Sequence, residues 1–186
     1  MAIPEKIYFK IRPLILPIDD ILEWIPVNSN ILDLGCGRGI IANYIRNFNS
    51  YLGIDLVIHT FEKGSKIKFK KSNCLDFIEK DISKFDTFLL IDILHHIPKK
   101  FQESFLNNLI SKMKSGDTLI VKDIYPKNFF TKFWNAFHDL LISKQVIRYF
   151  NFKNFEKSIK ADIKIEKKYS LRLFLYDHYF LILRKI

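Results

Sequence analysis

Apolar positions along the chain alternate between short continuous runs and longer stretches of near-helical period. Residues 7–27 carry Ile15, Ile18, Ile21, Leu22 and Ile25 near helical spacing, punctuated by Pro13, Pro17 and Pro26. Proline suits the start of a helix and stops one further in, so this stretch predicts a single short helix over 18–24. Runs of strand length follow at 30–34, 51–55, 68–71, 86–92 and 117–124. Between them the spacing predicts a helix over 38–48, at most a brief one over 56–66, where Gly64 interrupts, and one over 99–113. The last shows Phe101, Phe105, Leu106, Leu109 and Met113 on one face and ends at Lys114-Ser115-Gly116, a C-cap signal. An aromatic-rich helical stretch spans 129–147, and two further strand candidates stand at 163–171 and 179–183. Strands alternating with helices, then two consecutive strands, predict an α/β fold with a mostly parallel sheet and an antiparallel finish.

Composition narrows the class. With 186 residues and 48% hydrophobic content, the chain has the size of one domain and enough apolar surface for a core. It has no repeats, low-complexity tracts or Pro/Gly-rich linkers, so 1–186 is expected as one domain. Within it, 1–27 forms an N-terminal helical segment and 125–160 an aromatic-rich lid or substrate-binding segment. No apolar run approaches the roughly 20 residues of a membrane helix, and the first residues lack the apolar core of a secretory signal. Cys36 and Cys74 make neither a disulfide framework nor a zinc site. The expectation is a cytoplasmic protein, with peripheral membrane contact open. The net charge of +10 favours anionic partners, or reflects lysines filling solvated faces.

The chemistry concentrates in Ile-Leu-Asp-Leu-Gly-Cys-Gly-Arg-Gly at 31–39 and Gly-Ile-Asp-Leu at 53–56. Each apolar run ends near an acid, and Gly35, Gly37 and Gly39 alternate in the turn between them. This is how an α/β fold holds an adenosine-containing cofactor at the carboxyl ends of its strands. A dinucleotide loop wants its third glycine at the sixth position, where this chain has Ile40. The stretch Leu32-Asp33-Leu34-Gly35-Cys36-Gly37-Arg38-Gly39 instead resembles motif I of the class I S-adenosylmethionine-dependent methyltransferases. That resemblance covers residues 28–124 by motif and the remainder by pattern alone. It implies a doubly wound, mostly parallel seven-stranded sheet with helices on both faces and an antiparallel C-terminal strand. It also implies S-adenosylmethionine as cofactor, with S-adenosylhomocysteine as product.

The resemblance assigns roles residue by residue. Asp33 would orient the methionine amino group and the loop, unless it only caps the following helix. Gly35, Cys36, Gly37 and Gly39 would form the cofactor turn. Asp55, with Leu56 beside it, is placed to accept hydrogen bonds from both ribose hydroxyls. Asp76, after the third strand, would hold the adenine amine, with Leu75 or Phe77 packing the ring. Asp92 would lie near the methionine end and His95 or His96 near the transferred methyl. In an extended segment only one of the two histidines can face the cleft. Either could take a proton from a hydroxyl acceptor. Asp123, at the end of the fifth strand, could orient substrate or act as base. His138 is a further candidate base or an interfacial histidine on the aromatic stretch. No metal ligand set is assigned.

The favoured reading is transfer of a methyl group to a small-molecule or lipid-like acceptor, with O-methylation preferred. Two alternatives stand: a nucleic-acid methyltransferase, suggested by the charge, and a non-catalytic cofactor-binding module. Against the first, Asp92-Ile93-Leu94-His95 replaces the Asn/Asp-Pro-Pro-Tyr/Phe sequence of base-amine methylation, and no Pro-Cys nucleophile is present.

Overall fold

The structure is a computed structural model and describes residues 5–58, 64–126, 148–158 and 162–186. Seven strands form one sheet: β1 Asn30–Leu34, β2 Ser50–Asp55, β3 Ile67–Lys71, β4 Thr87–Ile91, β5 Thr118–Ile124, β6 Ile163–Leu173 and β7 Tyr176–Lys185. Their order is β3-β2-β1-β4-β5-β7-β6. All neighbours from β3 to β5 pair in parallel, and β7 runs antiparallel to both β5 and β6. This is the doubly wound α/β arrangement expected above.

Burial explains the strand sequences. β4 and β5 are buried at every position, as befits central strands covered on both faces, which read as continuous apolar runs. The edge strands differ. β3 exposes Lys68, Lys70 and Lys71, and β6 exposes Lys164, Lys167 and Lys168. Lysines along an edge discourage pairing with another chain, so much of the positive charge has a structural role.

Five α-helices are described: α1 Glu5–Ile15, α2 Ile18–Leu22, α3 Cys74–Phe77, α4 Lys99–Lys112 and α5 Phe152–Ser158. One face of the sheet packs Ile31, Tyr51, Leu89, Ile91 and Ile120 against Leu16, Ile18 and Ile21 of the N-terminal segment. The other face packs Leu32, Leu34, Phe88 and Val121 against Phe105, Leu106 and Leu109 of α4 and Phe152 and Phe155 of α5.

Two elements depart from expectation. The helix predicted over 38–48 is reduced to a 3₁₀ turn at Ile41–Asn43. Ile40, Ile41, Ala42 and Ile45 still bury against the sheet, so the apolar spacing is real. Gly39 takes positive φ before the turn and Asn47 after it, and β-branched and asparagine residues between them favour helix weakly. The second departure is α1, a helix over Glu5–Ile15 with Pro13 inside it, where the spacing predicted a helix only over 18–24. Proline removes one backbone donor, yet the turn around it still closes through Leu16 N donating to Arg12 O at 2.9 Å. The aromatic stretch 129–147, with His138, and residues 59–63 after β2 lie outside the described residues.

Candidate functional site

The turn after β1 is fixed from below by β2. Gly35 N and Cys36 N both donate to Ile54 O, at 2.8 and 3.1 Å, and Gly37 N donates to Asp55 Oδ2 at 2.8 Å. Gly35 has φ +82°, and a Cβ there would come within 2.6 Å of Ile93. Only glycine fits, because the residue after Asp92 lies directly on the turn. Gly53 is equally constrained: a Cβ would meet Phe69 at 2.7 Å and Cys36 Sγ at 2.8 Å.

A cleft opens along this carboxyl edge in two connected halves of about 180 and 340 Å³. They share Gly35, Asp55, Ile93 and His96. The smaller half is polar at its base, with Asp33, Gly37 and Asp92, and is roofed by Tyr8 and Arg12 of α1. The larger is mostly apolar, with Leu56, Leu75, Ile93 and Ile97 beside Asn73 and Cys74. An elongated ligand with a charged end and a flat apolar end matches this division.

Three acids occupy the strand ends in three different environments. Asp33 is 2% exposed and accepts a hydrogen bond from the Tyr51 hydroxyl on Oδ2. Its Oδ1 is buried with no partner among the described residues. Burial raises its pKa to about 7, with the Tyr51 hydrogen bond opposing and the nearby Asp55 charge adding to the rise. Asp55 receives Gly37 N on one oxygen and Val57 N, at 3.2 Å, on the other. Asp92 has φ 55° and is held by Lys122 Nζ on Oδ1 and Arg12 Nη2 on Oδ2, each at 2.6 Å. Burial alone would raise its pKa, but the two cations together hold it well below the usual carboxylate range.

The two histidines divide their roles. Leu94–His96 forms a 3₁₀ turn, so the extended geometry assumed for this segment does not apply. His95 points inward, 2% exposed. Its backbone N donates to Asp123 Oδ2 at 3.1 Å and its Nδ1 pairs with Asp123 Oδ1. Asp123 is 1% exposed, is engaged by this pairing and by Ile124 N, and lines neither half of the cleft. His96 lines both halves of the cleft, with its ring centroid 4.1 Å from that of His95. Gln102 Nε2 ties down the turn by donating to Leu94 O at 2.8 Å and Arg148 O at 2.6 Å.

Other expected residues sit elsewhere. Asp76 is exposed in the first turn of α3 and lines neither half, whereas Asn73, whose side chain caps that helix, and Leu75 do. Phe77 is in the core. Gly39 closes the turn by donating to Cys36 O at 2.8 Å and does not line the cleft. Tyr8, Arg12 and Lys122 were absent from the sequence-based set. Lys122 could have been suspected, because a lysine inside the apolar run 118–124 must find a buried partner. Next to it His178, 1% exposed, has no partner on either ring nitrogen among the described residues. Burial and then the Lys122 charge push its pKa down to about 3.

Ligand atoms of Asp92, His95 and Asp123 lie within 4.8 Å of one another. Lys122 and Arg12 already balance Asp92, and His95 already engages Asp123, so a cation would have to displace existing pairs.

For S-adenosylmethionine the fit is better. The unpartnered Asp33 oxygen suits an ammonium group, the glycine turn leaves backbone open to the ligand, and the apolar half suits a base. Comparison with known proteins agrees. The family described as a methyltransferase domain matches residues 8–161. A relative, the ubiquinone biosynthesis O-methyltransferase of Maricaulis maris (strain MCS10), is 25% identical over 103 residues. That match covers 50% of this chain and only 40% of the relative. Among solved structures, the magnesium protoporphyrin IX methyltransferase of Synechocystis PCC 6803 with bound S-adenosylhomocysteine superposes with TM-score 0.64 at 15% identity. It covers 91% of this chain and 82% of that one. The 1,6-didemethyltoxoflavin-N1-methyltransferase of Burkholderia thailandensis gives TM-score 0.67 at 16% identity, covering 92% and 78%. At such identities these structures speak for the fold.

Proposed function

Starting from the premise that the chain belongs to the methyltransferase-domain family, as a class I S-adenosylmethionine-dependent enzyme, we propose that it methylates a hydroxyl of a small, partly apolar or lipid-like acceptor. The observation that carries this reading is His96, an imidazole lining both halves of the cleft. When bound, S-adenosylmethionine supplies an electrophilic methyl group on a sulfonium. Asp33 would hold the amino group through its free oxygen, and Asp55 the ribose. Leu56, Leu75 and Ile97 would enclose the adenine.

A hydroxyl is a poor nucleophile, and an amine is a better one. A neutral imidazole at the cleft junction is needed for the first and dispensable for the second. His96 would accept the hydroxyl proton, leaving the acceptor oxygen free to take the methyl group as the sulfur keeps the S–C bonding pair and departs as S-adenosylhomocysteine. His95 and Asp123 keep the turn in place from behind. The O-methyltransferase named above supports the same acceptor atom, at low identity.

The test is a transfer screen with methyl-labelled S-adenosylmethionine against phenolic, carboxylic, amine and RNA acceptors. Label in ether products, with turnover in His96→Ala reduced about a hundredfold at unchanged cofactor affinity, is the expected result, and label only in esters counts against it. Label only in amines or RNA, or full activity in His96→Ala, overturns the proposal.

A further inference from the structure

Most of the large apolar side chains exposed among the described residues sit on one edge of the sheet, the carboxyl edge where the cleft opens. Helix α1 crosses that edge: Tyr8 and Arg12 face inward and line the cleft. Its outer face presents Ile7, Ile11 and Leu14, 46%, 48% and 68% exposed, at the i, i+4, i+7 spacing of a single helical stripe. Leu56 and Val57 stand exposed where β2 ends, and Phe101 where α4 begins after β4. Phe174, 71% exposed at positive φ, forms the tip of the β6–β7 hairpin, four residues before His178, which pairs with Ile124 at the end of β5. Ile186, by contrast, ends the antiparallel β7 at the opposite edge, and Val27 precedes β1 there.

Exposed cations share this edge: Lys10 on α1, Lys71 closing β3, Lys99 and Lys100 opening α4, and Arg172 before the hairpin tip. Lys100 Nζ lies 4.8 Å over the Phe101 ring. Among the residues whose exposure is described, the exposed acids on these segments and on α3, Asp76 and Glu103, are fewer. Scattered surface apolar residues need no explanation, but an apolar stripe beside the cleft, on an edge that also carries exposed cations, does.

We propose that this edge docks on an anionic lipid bilayer, with the outer face of α1 and the Phe174 tip resting among the headgroups and the lysines and Arg172 meeting lipid phosphates. An amphipathic helix with apolar residues on one side and basic neighbours binds such a surface through both contributions. The net charge of +10 has the sign this requires. The geometry also presents the cleft to the bilayer, so a lipid-like acceptor could enter without crossing water. This inference rests on the lipid-like half of the function proposed above, and its test needs no turnover.

The experiment is sedimentation of the full chain with vesicles, either of phosphatidylcholine alone or of equal parts phosphatidylcholine and phosphatidylglycerol. Partitioning is expected to be about tenfold stronger on the anionic vesicles and to fall with added salt. Ile11→Glu combined with Leu14→Glu should weaken it about tenfold or more, and so, independently and away from α1, should Phe174→Ser. Cofactor affinity and circular dichroism of both variants should match the wild type, since none of these side chains lines the cleft. No partitioning, equal partitioning on both vesicles, or variants that bind as well as the wild type overturn the proposal. So does a self-association that the same variants abolish, which would assign the edge to a second copy. Vesicle binding can fail in this way while methyl transfer to a soluble hydroxyl stands.

Discussion

Replacing Asp33 by asparagine should make the protein more stable and worse at its work. Asp33 is 2% exposed, and its pKa is raised from 3.8 to about 7. At pH 8 it is ionised in both folded and unfolded chains, but ionisation is far costlier in the folded one. The difference in proton affinity, at about 1.4 kcal/mol per tenfold, amounts to about 4 kcal/mol. A carboxyl with a raised folded pKa retains its proton after the unfolded chain has lost it. Its presence therefore lowers stability progressively as pH rises from about 4 to about 7.

Asp33→Asn removes the ionisation and keeps the shape, and the amide oxygen still accepts from Tyr51. In urea denaturation without cofactor, the difference in stability between variant and wild type should be small at pH 4. It should grow to as much as about 4 kcal/mol in favour of the variant at pH 8. Saturating S-adenosylmethionine should work against this gain. The wild type gains about 2.7 kcal/mol at a hundred times its Kd; the variant gains less, because an amide is a poorer partner than a carboxylate for an ammonium. A difference that stays flat between pH 4 and pH 8 would refute the argument from burial. A variant that binds the cofactor as tightly as the wild type would refute the role given to Asp33.

Three further substitutions probe the rest of the cluster. Asp55→Ala should weaken S-adenosylmethionine binding by about 1–3 kcal/mol through loss of charge-assisted hydrogen bonds, as read by calorimetry, and unchanged affinity would sink the ribose assignment. Lys122→Met leaves Asp92 with Arg12 as its remaining ion-pair partner among the described residues and should cost about 3 kcal/mol in urea denaturation. Adding Asp92→Asn should recover part of that loss, and strict additivity would show that the pair is not coupled.

What could be read from the sequence follows from which forces are local. The central parallel strands were legible because a strand buried on both faces needs no partner information: β4, Thr-Phe-Leu-Leu-Ile, is buried throughout and apolar after its first residue. The glycine turn was legible because backbone geometry dictates residue type. The failures are of two kinds. At 38–48 the apolar spacing was present, but Gly39 and Asn47 in the left-handed region let the chain bury the same isoleucines without a helix. At the site, the missing residues act across long sequence distances. Arg12 meets Asp92 eighty positions away, and Lys122 meets it thirty away. Conversely, Asp123 and His95 look like cleft residues in sequence, and a single hydrogen-bonded pairing turns both inward.

The acids at the three strand ends show how one fold makes similar residues do different things. Asp33 and Asp92 are both carboxylates at the carboxyl edge of adjacent strands, β1 and β4, and both line the same half of the cleft. One is buried with a tyrosine hydroxyl as its hydrogen-bond partner and a second carboxylate, Asp55, nearby, so its charge is uncompensated until a cation arrives. The other carries two cations of its own, so its charge is already spent. A ligand ammonium entering this half would meet one acid able to respond to it and one that is not, which is the basis for the proposed placement of the methionine end toward β1. Arg12 adds a consequence. Because it reaches Asp92 from α1, the roof of the cleft is fastened to its floor by an ion pair rather than by apolar contact alone. Loosening that pair should disturb cofactor affinity through the position of α1 even though Arg12 is spent on Asp92. An Arg12→Lys variant separates the two effects: it keeps the charge and shortens the reach, so a loss of affinity there, with stability retained, is a loss of placement.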